Sequence, residues 1–408
     1  MLQADRHVVV IGAGPAGLFA SECLLKKGIR VSLYDQMPSA LSKFVVAGSR
    51  GGLNITHRAP SEVFASCYGE NEKRFDRYLK QFSPTDLQTW LAGLGVKTCT
   101  GSSGKIFPQG VSASEIRDRW LAQLQSREGF TFFPKHRLTG IRNRQTLIFE
   151  TVSGDCDVRS ETALFALGGA SWSATGSDGR WAGFFENNGI GVSTFESANC
   201  GFEADWSPFL KKEFAHVWLK NICLTFGEKT VRGELILTPY GMEGGVVYTL
   251  GSSIRKTINQ TGACTVFLDL MRDWPVEKIM TRLDEDRKKD SMANHFRKKL
   301  NLSGPALALL RENATDEQLR DSRFVSRLLK HLPVTLRKPR PLEEAISTAG
   351  GVCFSGLDDH LMLKAFPGWF CAGEMLDWEA PTGGFLMQGC FSTAYQAALG
   401  VANWLDRG

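Results

Sequence analysis

Residues 7–20 read HVVVIGAGPAGLFA, an apolar run from Val8 to Ile11 followed by glycines at Gly12, Gly14 and Gly17. So short and so apolar a run predicts a parallel strand buried on both faces. The glycines then let a helix begin with its backbone N–H groups close to a pyrophosphate. Ala20 keeps that helix slim where it packs on the sheet, and Gly28 ends it. Val31 to Tyr34 form a second strand closing on Asp35, 18 positions after Gly17, where a carboxylate accepts hydrogen bonds from an adenosine ribose. The loop therefore predicts a site for an ADP-containing cofactor, and at this point NAD and FAD are equivalent.

At 408 residues the chain is too long for one simple core, so two or three lobes are expected. Its 43% hydrophobic and 22% charged residues describe an ordinary globular protein. No apolar run approaches the roughly 20 residues of a membrane span, and the first strand starts too early to leave room for a signal peptide. A cytoplasmic protein with no membrane partner is expected. Ten cysteines are scattered without a CxxC, and the seven histidines show no ligand spacing, so no metal site is expected. Residues 272–340 carry 17 Lys and Arg against 10 Asp and Glu, a local net charge of +7. A solvated helical surface explains such a mixture, and an RNA-contacting surface is the alternative.

Helix starts are marked by Ser83 with Pro84 and Asp86, and by Ser112 with Glu115. GSSGKIFP (101–108) is a glycine-rich turn without the Gly-Lys-Ser/Thr of a phosphate loop. Short strands are expected over 131–134, 137–141 and 146–151. Ala163 to Leu167 then delivers Gly168 and Gly169 to a sheet edge. Between about 190 and 270, GELILTPYG and GGVVYTL are the clearest strands. Pro275 opens a helix, and Thr315 with Gln318 caps another that ends near His331. The final 60 residues return to α/β character, with a strand over 369–372 and a long helix from Gly384 to Trp404.

The segment CAGEMLDWEAPTGGFLMQGC (371–390) is the most informative in the chain. Glu374 and Asp377 follow a strand end, and Thr382-Gly383-Gly384 opens the last helix, whose N-terminus carries about half a positive charge. Such an end suits the N1/O2 edge of an isoalloxazine, where negative charge gathers on reduction, and the carboxylates suit ribityl or pyrophosphate contacts.

With these residues in view, the chain resembles the BaiN-like NAD(P)/FAD-dependent oxidoreductases, bacterial flavoproteins with a Rossmann-type FAD domain, an inserted β-barrel-like lobe and a small helical lobe. Five segments carry the resemblance in order: VIGAGPAGL, AGSRGGLNITH (47–57), ALGGASWSATGSDG (166–179), ISTAGGV (346–352) and AGEMLDWEAPTGGF (372–385). It implies an α/β fold with the FAD domain at 1–190 plus 345–408, the β lobe at 191–272 plus about 333–344, and the helical lobe at 273–332. It implies FAD, with Gly12, Gly14, Pro15, Ala16, Gly17, Asp35 and Gln36 on the ADP half. Lys43, Gly51, Gly52, Asn54, Thr56, Ala166, Gly168, Gly169, Gly373, Glu374, Asp377, Thr382, Gly383, Gly384 and Phe385 would surround the pyrophosphate, ribityl chain and ring.

This chain departs from its relatives at Gly52-Leu53-Asn54, where many have Arg-Cys-Asn, so the flavin-proximal cysteine of that motif is missing. It also reads Thr238-Pro239-Tyr240-Gly241-Met242-Glu243 where relatives have Thr-His-Phe-Gly-Leu-Ser.

The resemblance implies transfer of hydride from reduced flavin N5 to an electron-poor double bond of an unidentified small molecule. Tyr240 and His57 are the candidate acids; Glu243 is a candidate partner for a cationic substrate. No second strand–GxGxxG–helix exists, so NADH or NADPH would dock only transiently as reductant. The alternatives are an amine oxidase reducing oxygen, and an RNA-binding flavoprotein or flavin-dependent RNA uridine reductase using the basic 272–340 stretch. Oligomeric state is not legible.

Overall fold

The computed structural model describes residues 6–49 and 52–407. The chain divides into two compact units, Met1–Glu196 with Ile346–Gly408, and Ser197–Ala345.

In the first unit, His7–Ile11 is the middle strand of a five-stranded sheet ordered Trp369–Cys371, Ala163–Phe165, His7–Ile11, Arg30–Asp35, Phe130–Pro134. All four pairings are parallel. Val8, Val9 and Val10 are fully buried, as a strand covered on both faces requires. Helix Pro15–Leu25 follows the first strand, and helix Phe385–Leu405 packs on it through a face that buries Ala394, Ala397 and Ala398. The strand expected over 163–167 ends at Phe165. The expected capping boxes form at Ser83/Asp86 and Ser112/Glu115.

Beside the main sheet stands an antiparallel sheet of Arg137–Arg142, Thr146–Thr151 and Gly154–Arg159. A smaller one joins Thr56–His57, Lys105–Pro108 and Thr98–Thr100.

A buried acid fastens helices to the sheet's first crossover. The Glu22 side chain is 2% exposed and pairs with Lys26 at 2.7 Å. Its Oε2 accepts from the indole N–H groups of Trp90 and Trp120, each at 2.9 Å. Glu22→Leu leaves both donors without an acceptor, and we expect it to lower unfolding free energy by about 3 kcal/mol. Glu22→Gln, which keeps a carbonyl oxygen, should lose less. Urea midpoints of the two variants check this, and equal midpoints for wild type and Glu22→Leu would refute it.

The second unit is built on a closed six-stranded barrel of Phe202–Ala204, Gly241–Glu243, Lys229–Thr238, Val217–Phe226, Cys264–Asp269 and Leu332–Pro339. Leu235, Leu237, Val266, Leu268 and Leu336 fill its core. The segment GGVVYTL is not a strand: it opens helix Gly245–Thr261, whose buried Val246, Val247, Leu250, Ile254 and Ile258 recur at helical spacing. Helices Val276–Leu283, Met292–Leu300, Gly304–Glu312 and Ser322–Lys330 belong to this same unit. Thr315 and Gln318 do form reciprocal bonds, at 2.9 and 3.3 Å. They start only a short 3₁₀ turn, Gln318–Arg320, and the following helix is capped by Asp321 instead. Among the described residues no helix is long and apolar enough to cross a membrane.

Candidate functional site

The carboxyl ends of the parallel strands open onto a cleft in the first unit, edged by Gly12, Gly14, Ala16, Gly168, Gly373 and Glu374. The three glycines of the first loop divide the work. Gly12 has φ +102°, and a Cβ on it would sit 2.2 Å from the Ala166 carbonyl oxygen. A Cβ on Gly17 would lie 1.8 Å from the Gly12 oxygen. Both are required by the protein's own packing. Gly14 has nothing within 4 Å of a Cβ, so its missing side chain leaves open space facing the cleft.

Asp35 stands at the end of its strand and braces this loop. It accepts from the Ala13 N–H at 2.5 Å and the Met37 N–H at 2.7 Å. Burial pushes its carboxyl up to about 6, and the two N–H donors oppose that rise. Gln36 donates to the Gly176 carbonyl at 2.6 Å, tying the Asp35 turn to the 166–179 segment.

Lys43 and Glu374 form an ion pair at 3.1 Å; Lys43 also donates to Ser171 Oγ at 2.9 Å, and Glu374 accepts from the Thr348 N–H at 3.1 Å. Gly373 (φ +80°) sits against helix Pro15–Leu25, where a Cβ would meet that of Ala16 at 2.7 Å.

Other expected site residues are not among those that edge the cleft. Gly169 packs on the Thr348 side chain. Asp377 accepts from Ser193 Oγ at 2.6 Å. Gly51 lies outside the described residues. Gly52, with φ +102°, packs near Phe107.

Thr56, His57 and the opening of the last helix form a second group. Gly383 and Gly384 have φ of +112° and +105°, and a Cβ on Gly384 would sit 2.3 Å from the Thr56 backbone. Thr56 Oγ1 donates to the Gln388 side chain at 2.7 Å. Gln388 is fully buried and donates in turn to the Phe82 carbonyl at 3.0 Å. His57 Nδ1 lies 3.0 Å from the Gly383 carbonyl. A carbonyl only accepts, so Nδ1 carries the proton. The His57 ring stacks on Phe385, with centroids 4.9 Å apart.

Several cleft residues were missed from the sequence. Ser177 lies on the cleft wall and is 6% exposed, yet its Oγ has no hydrogen-bond partner among the described residues. Asn54, which the sequence does place in the site, also has a buried Oδ1 without a partner among the described residues. His136 and Arg137, at the start of the antiparallel sheet, line the far end of the cleft. Cys390 lines it too, although the cysteine of the second motif is missing, and burial raises its thiol to about 12. An open Gly14, an orphaned Ser177 hydroxyl and a lysine at the loop fit a dinucleotide with a diphosphate at its centre.

Tyr240 belongs to the barrel unit. Its hydroxyl donates to Glu243 Oε2 at 2.6 Å, and the Arg340 guanidinium lies 4.4 Å from its ring centroid. Arg340 is held by Glu203 at 2.6 Å and by Glu344 at 2.7 Å. Burial, followed by the Glu243 carboxylate, raises the phenol well above its ordinary range. Glu243 is thus a hydrogen-bonded partner of Tyr240. In the basic stretch, Lys298 pairs with Asp290 and Lys299 with Glu285.

Comparison with known proteins agrees with the fold. The chain is 24% identical to the 3-dehydro-bile acid delta(4,6)-reductase of Clostridium scindens over 97% of this chain and 99% of the relative. It is also 24% identical to the ribosomal RNA dihydrouridine synthase of Escherichia coli K12, over 96% of each. Among solved structures, the 3-ketosteroid-delta4-(5alpha)-dehydrogenase of Rhodococcus jostii RHA1 superposes with a TM-score of 0.53 at 13% identity, covering 99% of this chain and 98% of that one. The family model described as HI0933-like protein Rossmann domain matches residues 6–400, so the chain belongs to the HI0933-like family.

Proposed function

We propose that this FAD-dependent oxidoreductase is a reductase that saturates an electron-poor double bond of a small molecule. The observation that carries the proposal is the first-unit cleft, where an open Gly14 and an unsatisfied buried Ser177 adjoin the Lys43–Glu374 pair. Bound FAD supplies a two-electron carrier able to deliver hydride to such a bond. Gly12 to Ala16 would hold the diphosphate against the helix N-terminus, with Asp35, Gln36 and Ser177 toward the adenosine half. Glu374 and Asp377 would take the ribityl chain, and Thr382 to Phe385 would meet the ring. Tyr240 would give the proton to the substrate carbon, its O–H turning away from Glu243, to which it donates in the resting protein. His57 spends its Nδ1 proton on the Gly383 carbonyl, so we assign it to positioning that turn.

The bile-acid reductase at 24% identity supports reduction of a conjugated carbonyl compound. The E. coli relative supports an RNA substrate, but Lys298 and Lys299 are already neutralised by carboxylates and the second motif lacks its cysteine.

The test is anaerobic. Purified protein should release FAD, not FMN, on denaturation, be reduced by NADH or NADPH, and be reoxidised by an α,β-unsaturated ketone. Reoxidation only by oxygen would replace the reductase reading with an oxidase. Absence of FAD after incubation with excess cofactor would defeat the site assignment.

A further inference from the structure

We propose that Lys105 is the cation that stabilises the reduced cofactor at the mouth of the last helix. The inference rests on the ring placement proposed above. Strand Thr56–His57 pairs antiparallel with Lys105–Pro108, which sets Lys105 directly across from His57. The Gly383–Gly384 turn lies on this strand pair. A Cβ on Gly383 would come 3.6 Å from Lys105 Cε and 3.9 Å from His57 Nδ1. The lysine stem therefore reaches the turn whose N–H groups face outward from a helix of 21 residues.

Other lysines near this unit's core are spoken for: Lys26 by Glu22 and Lys43 by Glu374. Lys105 is half-buried, and among the described residues its ammonium has no hydrogen-bond or ion-pair partner. A cation with no counter-charge of its own is free to stabilise negative charge that develops beside it. Reduction places such charge on the N1/O2 edge of the ring, where the helix N-terminus contributes in the same direction. His57 is the complement: its Nδ1–H engages the Gly383 carbonyl and so holds the turn in place. The charge is supplied by Lys105 and the geometry by His57.

Lys105 escaped notice in the sequence because GSSGKIFP has no phosphate-loop signature. Only the pairing of two strands some 50 residues apart brings it to the helix.

The test compares wild type, Lys105→Met and Lys105→Arg, each loaded with FAD. The readouts are flavin content, midpoint potential and the dissociation constant for sulfite, taken from bleaching of the flavin absorption band. Methionine keeps the apolar stem and removes the charge. We expect Lys105→Met to retain FAD, lower the potential and weaken sulfite binding roughly tenfold or more, the effect of one nearby charge on an ionisation equilibrium. Lys105→Arg should stay close to wild type. If Lys105→Met does not fold, Lys105→Gln gives the same reading. A neutral variant that holds FAD with wild-type potential and sulfite affinity overturns the role of Lys105 while leaving the FAD site intact. A wild-type protein that holds no FAD overturns both.

Discussion

Gly14→Val is expected to purify as a folded but colourless protein. Gly14 has φ −77° and ψ −177°, extended backbone that valine adopts without strain. No atom of the described residues lies within 4 Å of the added Cβ. The new methyls therefore cost the apoprotein little and occupy the space assigned to the diphosphate. We expect FAD affinity to fall roughly hundredfold or more, the equivalent of about 3 kcal/mol of overpacking against a fixed backbone. Gly12→Val is the contrasting variant: its positive φ and the Ala166 oxygen 2.2 Å away should destabilise the fold itself. Thermal melts followed by circular dichroism, alongside flavin absorbance, separate the two. Wild-type FAD affinity in Gly14→Val would move the diphosphate away from this loop.

Tyr240→Phe is expected to lower the rate of substrate reduction by about 10²–10⁴, the range for a positioned general acid. Reduction of the cofactor by NADH or NADPH should be unchanged. The ring remains, so its contact with Arg340 at 4.4 Å should persist and the barrel should not suffer. Burial and Glu243 hold the phenol protonated well above its ordinary range. The donor form is thus fully present through neutral pH, and its loss should appear only in strongly alkaline solution. Stopped-flow measurement of the two half-reactions checks this. An equal rate of substrate reduction in Tyr240→Phe would remove Tyr240 from the chemistry.

What could be read from the sequence was local. Val8 to Ile11 and the glycines after it specify strand, turn and helix within 20 residues, and Asp35 completes the unit one helix later. GGVVYTL reads as a strand because its seven residues fit a buried strand and a buried helix face equally. Only the continuation through Ile254 and Ile258 decides for the helix. Gly154–Arg159 was missed because GDCDVR is a charged, largely exposed strand without an apolar face. The site divides in the same way. Gly12 and Gly373 answer to backbone need, with φ of +102° and +80°. Ser177 and Lys105 are ordinary residue types whose meaning comes from partners far along the chain, or from the lack of them.

The order of strands in the parallel sheet has a consequence for biosynthesis. Ala163–Phe165 holds Trp369–Cys371 as its outer neighbour, and helix Pro15–Leu25 is covered by Phe385–Leu405. At about 5–20 residues per second, a ribosome that has finished strand Ala163–Phe165 needs on the order of ten seconds or more to supply its partner. During that interval the edge of Ala163–Phe165 and the flank of the first helix stand uncovered. The barrel unit, Ser197–Ala345, is continuous in sequence and can close within the same interval. The cleft of the first unit, which Gly373 and Glu374 line, is completed after it. A polypeptide truncated after residue 345 should therefore contain a folded barrel, an incomplete cleft and a sheet whose Ala163–Phe165 edge stands open.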